Sequence, residues 1–257
     1  MKWPGEIRAV FVKGENMQKL DSINMNSTCQ HTDAYHLTSN THTCTLDHVK
    51  EETSMSFAGI SFVNGKIIAF SDSKSTKYRN GKPYAAEPVQ KIFKNEHFVL
   101  VCTGTNELPV FNGHQYQIQK LKDWMNSEMP STEDPWALCK RLFEYLQDKC
   151  RQDIPSITII GAQPSIGNKN CILFSLMISG SSFKYEGNSV GNDVCWNSGA
   201  DEYVQYYREN TYRLLTDSED ILKKELETCI QEIEKRHEME PDWYNPVGGE
   251  IQVERFH

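Results

Sequence analysis

Two groupings of side chains in this 257-residue chain could do chemistry. The first is Cys29, His31, His36, His42, Cys44 and His48, all within twenty residues. Thiolate and imidazole suit zinc, but no standard ligand spacing is present. A polar segment with incidental histidines is the simpler reading, and neither a metal nor a cofactor is expected. The second grouping lies at the base of a hairpin. Asn64-Gly65 separates two apolar, β-rich runs, 56–63 and 66–71, the strongest local signal for a two-residue type I′ loop. That loop pairs Val63 with Lys66 and sets Ser56 opposite Ser73, beside Asp72 and Lys74. A hydroxyl, a carboxylate and an ammonium then meet at one end of a buried strand pair. Strict alternation points Asp72 away from the face that carries Ser56, so a bulge or strong twist is expected to bring them together. Ser56 reads equally as a polar residue opening a strand, Asp72 as turn chemistry, and Lys74 as a supporting or surface charge.

The elements around this hairpin fall into blocks. Residues 74–88, with Asn80-Gly81, Pro83 and Pro88, read as a loop. Strands follow at 90–94 and 97–102, then helices at 113–126 and after Ser131-Thr132-Glu133-Asp134-Pro135. The second helix carries Leu138, Leu142, Phe143 and Leu146 on one face. Strands are expected at 156–161, 171–178, 182–185 and 193–196, and a helix at 200–212. Another helix begins after Asp217-Ser218 with a stripe of Ile221, Leu222, Leu226, Ile230 and Ile233, and a last strand spans 250–253. Segregated runs of strands and helices exclude a doubly wound βαβ sheet. Runs apolar on both faces imply sheets covered on each side. The predicted class is α+β: two stacked sheets with a helical layer outside each, a four-layer α/β/β/α sandwich over residues 56–257. Residues 1–55 read as a mostly disordered polar tail or propeptide, because the 21–50 stretch holds too few large apolar residues to offset its ordering entropy.

Bulk properties narrow the class of partner. Thirty-five acidic and 27 basic side chains give a net charge of −8, which disfavours nucleic acid or an anionic membrane. The longest apolar runs, 157–162 and 171–178, fall well short of the ~20 residues that span a bilayer. The opening Met1-Lys2-Trp3-Pro4-Gly5 lacks the apolar core of a secretory signal. Cys102, Cys139, Cys150, Cys171, Cys195 and Cys229 sit in expected strands and helices, as buried free thiols do, and fit a reducing compartment. A soluble, cytoplasmic protein is expected.

Several short stretches, in order, resemble the proteasome β-subunits and the bacterial proteasome-like peptidases. They are the hairpin 56–74, Val89-Gln90-Lys91-Ile92, Val101-Cys102-Thr103-Gly104, Asn197-Ser198-Gly199-Ala200 and Val247-Gly248-Gly249-Glu250-Ile251, covering roughly 56–254. The resemblance implies the N-terminal nucleophile hydrolase fold. It puts Ser56 at the family's nucleophilic threonine, Asp72 at its aspartate after the second strand and Lys91 at its lysine. Ser198-Gly199 matches the Ser-Gly that opens the third helix; Ser198 reads equally as an N-cap there. The family's second aspartate has no clean match: spacing points to Tyr244, with Asp242 two residues earlier.

The implied chemistry is hydrolysis of a peptide or amide bond. A serine hydroxyl needs a base, and an N-terminal residue's own α-amine, with a reference pKa of about 7.7 to 8.0, can serve. Lys91 would lower that pKa and stabilise developing negative charge, with Asp72 as its anchor. The amine exists only if the chain is cut before Ser56 or translation starts at Met55. Met55 in place of the family's usual glycine argues against self-cleavage. The implied partners are a peptide or protein substrate and, by resemblance alone, further copies in a homo-oligomeric ring. The alternatives are a non-catalytic proteasome-like subunit and a small-amide hydrolase on the same fold.

Overall fold

Asn64 and Gly65 adopt φ values of +53° and +74°, and Asn80 and Gly81 repeat the same pair, the left-handed geometry of a type I′ turn. Each Asn-Gly pair closes a two-residue hairpin. The computed structural model describes residues 8–11, 56–150, 154–165, 169–210, 213 and 215–256. In chain order its elements are β1 (Arg8–Phe11), β2 (Phe57–Val63), β3 (Lys66–Asp72), β4 (Thr76–Arg79), β5 (Lys82–Ala85), β6 (Ile92–Lys94) and β7 (Val99–Gly104). There follow β8 (Glu107–Phe111), β9 (Tyr116–Lys120), α1 (Leu121–Glu128), α2 (Pro135–Cys150), β10 (Ile157–Pro164), β11 (Cys171–Ser179) and β12 (Ser182–Val190). The last are β13 (Val194–Gly199), α3 (Asp201–Glu209), α4 (Glu219–Arg236) and β14 (Ile251–Phe256).

The protein is of mixed α+β class. One five-stranded sheet runs β1-β13-β2-β3-β14 and another runs β12-β11-β10-β7-β6; β4-β5 and β8-β9 are separate hairpins. Alternation along the central hairpin sorts its side chains between two cores. Ala58, Ile60 and Phe62 of β2 share an apolar cluster with Val99 and Val101 of β7 and Ile160 of β10, so inner faces of both sheets contribute to one core. Phe57, Ile68 and Phe70 lie in another cluster, with Tyr203 and Tyr207 of α3 and Leu222 and Leu226 of α4. On the second sheet, Leu100, Ile159 and Phe174 pack with Trp124 of α1 and Leu138, Leu142 and Leu146 of α2. The six described cysteines are buried. No helix among the described residues is long and apolar enough to cross a membrane.

Helix starts follow their local chemistry. The Asp134 carboxylate accepts the Trp136 N–H at 3.0 Å, one residue before Pro135 opens α2, the arrangement that suits an N-terminal proline. Ser218 caps α4 by accepting the Ile221 N–H. Ile221 itself is 52% exposed, so the apolar stripe of α4 is narrower than expected and runs through Leu222, Leu226 and Ile233.

Three segments differ from the sequence reading. The 74–88 stretch contains the β4-β5 hairpin, whose mostly exposed strands carry no apolar alternation to betray them. The first half of the expected 113–126 helix is instead β9, paired with β8 from Glu107↔Lys120 to Phe111↔Tyr116. Asn112 directs that turn by accepting the His114 and Gln115 N–H groups, both at 3.0 Å, and only α1 is helical. Arg8–Phe11, read as part of the tail, pairs antiparallel with β13 from Arg8↔Asn197 to Phe11↔Val194. The Cys/His grouping at 29–48 lies outside the described residues.

Each sheet contains one glycine covered by the ring of its cross-strand partner: Gly59 opposite Phe70, and Gly161 opposite Phe174. A Cβ on Gly59 would stand 2.1 Å from Phe70 Cζ and 2.7 Å from the Trp196 carbonyl oxygen. Gly59→Ala is therefore expected to cost about 1–3 kcal/mol through overpacking. A denaturation midpoint unchanged from wild type would refute this packing.

Candidate active site

The site is assembled where β2 begins and β3 ends. The hairpin keeps its register without a break from Val63↔Lys66 to Ala58↔Ser71, so Asp72 comes level with Phe57 and accepts its N–H at 2.9 Å. Ser56 has the parity of Ala58 and Ile60, on the inter-sheet side, and Asp72 the parity of Ile68 and Phe70, on the helix side. Of the bulge or strong twist expected from sequence, no bulge interrupts this pairing. The link is a long side chain from the residue just before β6: Lys91 Nζ donates to Ser56 Oγ at 3.0 Å and to Asp72 Oδ1 at 2.9 Å.

This group is dry. The Lys91 and Asp72 side chains are 1% and 0% exposed, and Ser56 is 4% exposed. An isolated buried charge is costly, so each needs close partners. Asp72 has four: Phe57 N–H and Lys91 on Oδ1, and Lys74 N–H at 3.1 Å and Gly248 N–H at 3.3 Å on Oδ2. These donors favour its ionised form and oppose the burial that disfavours it. Burial lowers the Lys91 pKa from its ordinary value, and the Asp72 charge opposes that shift. Burial raises Asp72, opposed first by Lys91 and then by the Phe57 N–H.

The backbone of each member is fixed separately. Lys91 N–H donates to Gln252 Oε1 of β14 at 3.1 Å, and its carbonyl accepts the Cys102 N–H of β7 at 2.9 Å. Gln252 also donates to the Val89 carbonyl at 2.8 Å, so an edge strand of one sheet aligns the lead-in to the other. The Ser56 carbonyl accepts the Ala200 N–H at 2.8 Å. Gly199, beside it, has φ +144°, and a Cβ there would fall 2.0 Å from the Ser56 carbonyl oxygen. Only glycine lets β13 end this close to Ser56.

Ser56, Asp72 and Lys91 are thus brought into contact. Ser198 is not in that contact group; it lies in β13 opposite Ala58, and the N-cap of α3 is Ala200 rather than Ser198. Asp242 is exposed. Tyr244 bonds Thr76 Oγ1 through its hydroxyl at 3.2 Å, and its ring lies 4.3 Å from Lys74 Nζ. Lys74 also donates to the Asn245 carbonyl at 2.6 Å. Sequence reasoning missed Gln252, Asn245 and Tyr203, which join the site only through long-range hydrogen bonds.

Other reactive groups are poorly placed. Burial pushes the Cys171, Cys195 and Cys229 thiols up to about 12, so none offers a thiolate at neutral pH. Among the described residues no group of three or more His, Cys, Asp or Glu side chains could hold a metal ion. A scan against protein-family models finds no match for this chain, and a search of curated proteins finds none either.

Lys91→Met would strand the Asp72 anion without its buried cation and is expected to cost about 3–5 kcal/mol of stability. Chemical denaturation measures it. A loss under about 1 kcal/mol, the scale of an exposed pair, would show that Lys91 does not neutralise Asp72.

Proposed function

We propose that residues 56–257 form a four-layer α/β/β/α sandwich of the proteasome-like N-terminal nucleophile type and hydrolyse peptide or amide bonds through Ser56. The observation that carries this reading is the buried contact of Lys91 Nζ with both Ser56 Oγ at 3.0 Å and Asp72 Oδ1 at 2.9 Å. Three apolar clusters also support it: one shared by the inner faces of both sheets and one between each sheet and its helices.

In the proposed reaction the chain is opened before Ser56 by processing, or begins there after initiation at Met55. The freed α-amine takes the hydroxyl proton as Oγ attacks the substrate carbonyl. Lys91 lowers the amine's pKa by like-charge repulsion and stabilises developing negative charge. The protonated amine then gives its proton to the leaving nitrogen as the C–N bond breaks, leaving an ester on Oγ. Water, deprotonated by the same amine, hydrolyses that ester and restores the hydroxyl. Asp72 keeps Lys91 charged and in place. The substrate is a peptide or protein, the enzyme works in the cytoplasm without a cofactor, and copies assemble as a homo-oligomeric ring.

A second reading, a non-catalytic subunit of the same fold, is favoured by two observations. Ser56 is 4% exposed in the uncut chain, and Asp242, the candidate second aspartate, is exposed. Ser56→Ala separates the two readings. Assayed beside wild type on a panel of fluorogenic peptides, the variant is expected to lose at least about a hundredfold in kcat/KM, since the residue forms the covalent bond. Equal rates in both proteins would eliminate Ser56 as nucleophile.

A further inference from the structure

Between α4 and β14 the chain has no regular secondary structure, yet one side chain there is gripped by two helices and by its own loop. Asn245 Oδ1 accepts the Tyr203 hydroxyl of α3 at 2.7 Å and the Val247 N–H of its own loop at 2.9 Å. Its Nδ2 donates to Glu234 Oε1 of α4 at 2.8 Å. Its backbone carbonyl accepts Lys74 Nζ at 2.6 Å. Both Asn245 and Tyr203 are buried. The position needs an acceptor and a donor on one short side chain, which a carboxylate or an alkyl group does not provide.

Three residues later the same loop meets the catalytic group. Gly248 N–H donates to Asp72 Oδ2 at 3.3 Å, and the Gly248 carbonyl accepts the Lys74 N–H at 3.0 Å. Val247, between them, is buried in the helix-side cluster with Tyr203 and Leu226. The geometry points to Asn245 as a positioning residue: locked to α3 and α4 through Tyr203 and Glu234, it holds the Gly248 N–H on Asp72 and keeps water away from Lys91. This role rests on the nucleophile reading of Ser56. It reaches the reacting atoms only through Asp72 and Lys91.

Loosening the clamp acts on Lys91 in one direction. Asp72 loses a donor, which leaves more of its charge for the ammonium, and water enters, which removes the desolvation that holds Lys91 down. Both effects raise the Lys91 titration midpoint. The Ser56 amine would feel the same added negative field, moving the acid limb of kcat/KM to higher pH.

The test uses full-chain protein carrying 13C-labelled lysine, with the Lys91 resonance assigned by its loss in Lys91→Arg. Asn245→Asp sets a carboxylate against Glu234 and is expected to raise the Lys91 midpoint by about one unit and to lower kcat/KM on a fluorogenic peptide roughly tenfold. Combining it with Glu234→Gln turns the hydrogen bond round at constant net charge and is expected to restore both. Tyr203→Phe, which deletes one hydroxyl, is expected to shift the midpoint in the same direction and decides the matter if Asn245→Asp fails to fold. A wild-type Lys91 midpoint in the folded variants overturns the positioning role. A midpoint that moves and is restored, in a protein that hydrolyses no peptide, leaves the clamp standing and removes the nucleophile reading instead.

Discussion

A lysine ammonium with almost no exposed surface, shared between a hydroxyl and a carboxylate, is the constraint that the rest of this structure serves. Removing two charges from water costs several kcal/mol per ion, and their attraction repays it only when geometry is good and the remaining donors and acceptors are used. That condition reaches far along the chain. β2 and β3 must keep their register so that Phe57 N–H meets Asp72. β14 must present Gln252 to fix the Lys91 backbone. The loop before β14 must bring Gly248 to the second carboxylate oxygen. Elements from both sheets and the loop behind α4 are thereby tied to one small polar group inside an apolar interior.

That arrangement bears on how the site works in the proposed reading. A buried cation beside Ser56 acts in a medium of low dielectric, where its field on the α-amine and on a developing oxyanion is stronger than at a wet surface. The same dryness is an obstacle while the chain is uncut, because a substrate cannot reach a hydroxyl that is 4% exposed. Processing before Ser56 would create the amine that the proposed reaction needs. A scaffold subunit needs neither, and for it the ion pair would be a device that fixes strand register.

The sequence disclosed those parts that depend on neighbouring residues. Asn64-Gly65 specified the turn, and the turn specified the register that sets Phe57 level with Asp72. Asn80-Gly81 carried the same signal, but its strands bury no face, so turn chemistry alone marked them and Pro83 argued against them. The segment after Gly113 has helix-tolerant residues, and pairing with β8 overrode that weak preference in β9. Alternation assigned Ser56 and Asp72 to opposite faces; what it could not convey was that Lys91, 35 residues beyond Ser56, reaches across to touch both. The pairing of Lys91 with this hairpin came from family resemblance alone. Gln252, Asn245 and Tyr203 left no mark in the sequence, because an amide or hydroxyl hydrogen-bonded to a distant element has the same local pattern as one in water.

The central claim is that Ser56 acts with a free α-amine. The mass of the intact protein isolated from its own cell tests it most directly. The account predicts a dominant species whose first residue is Ser56. A fully active preparation whose only species retains Met1 would contradict it.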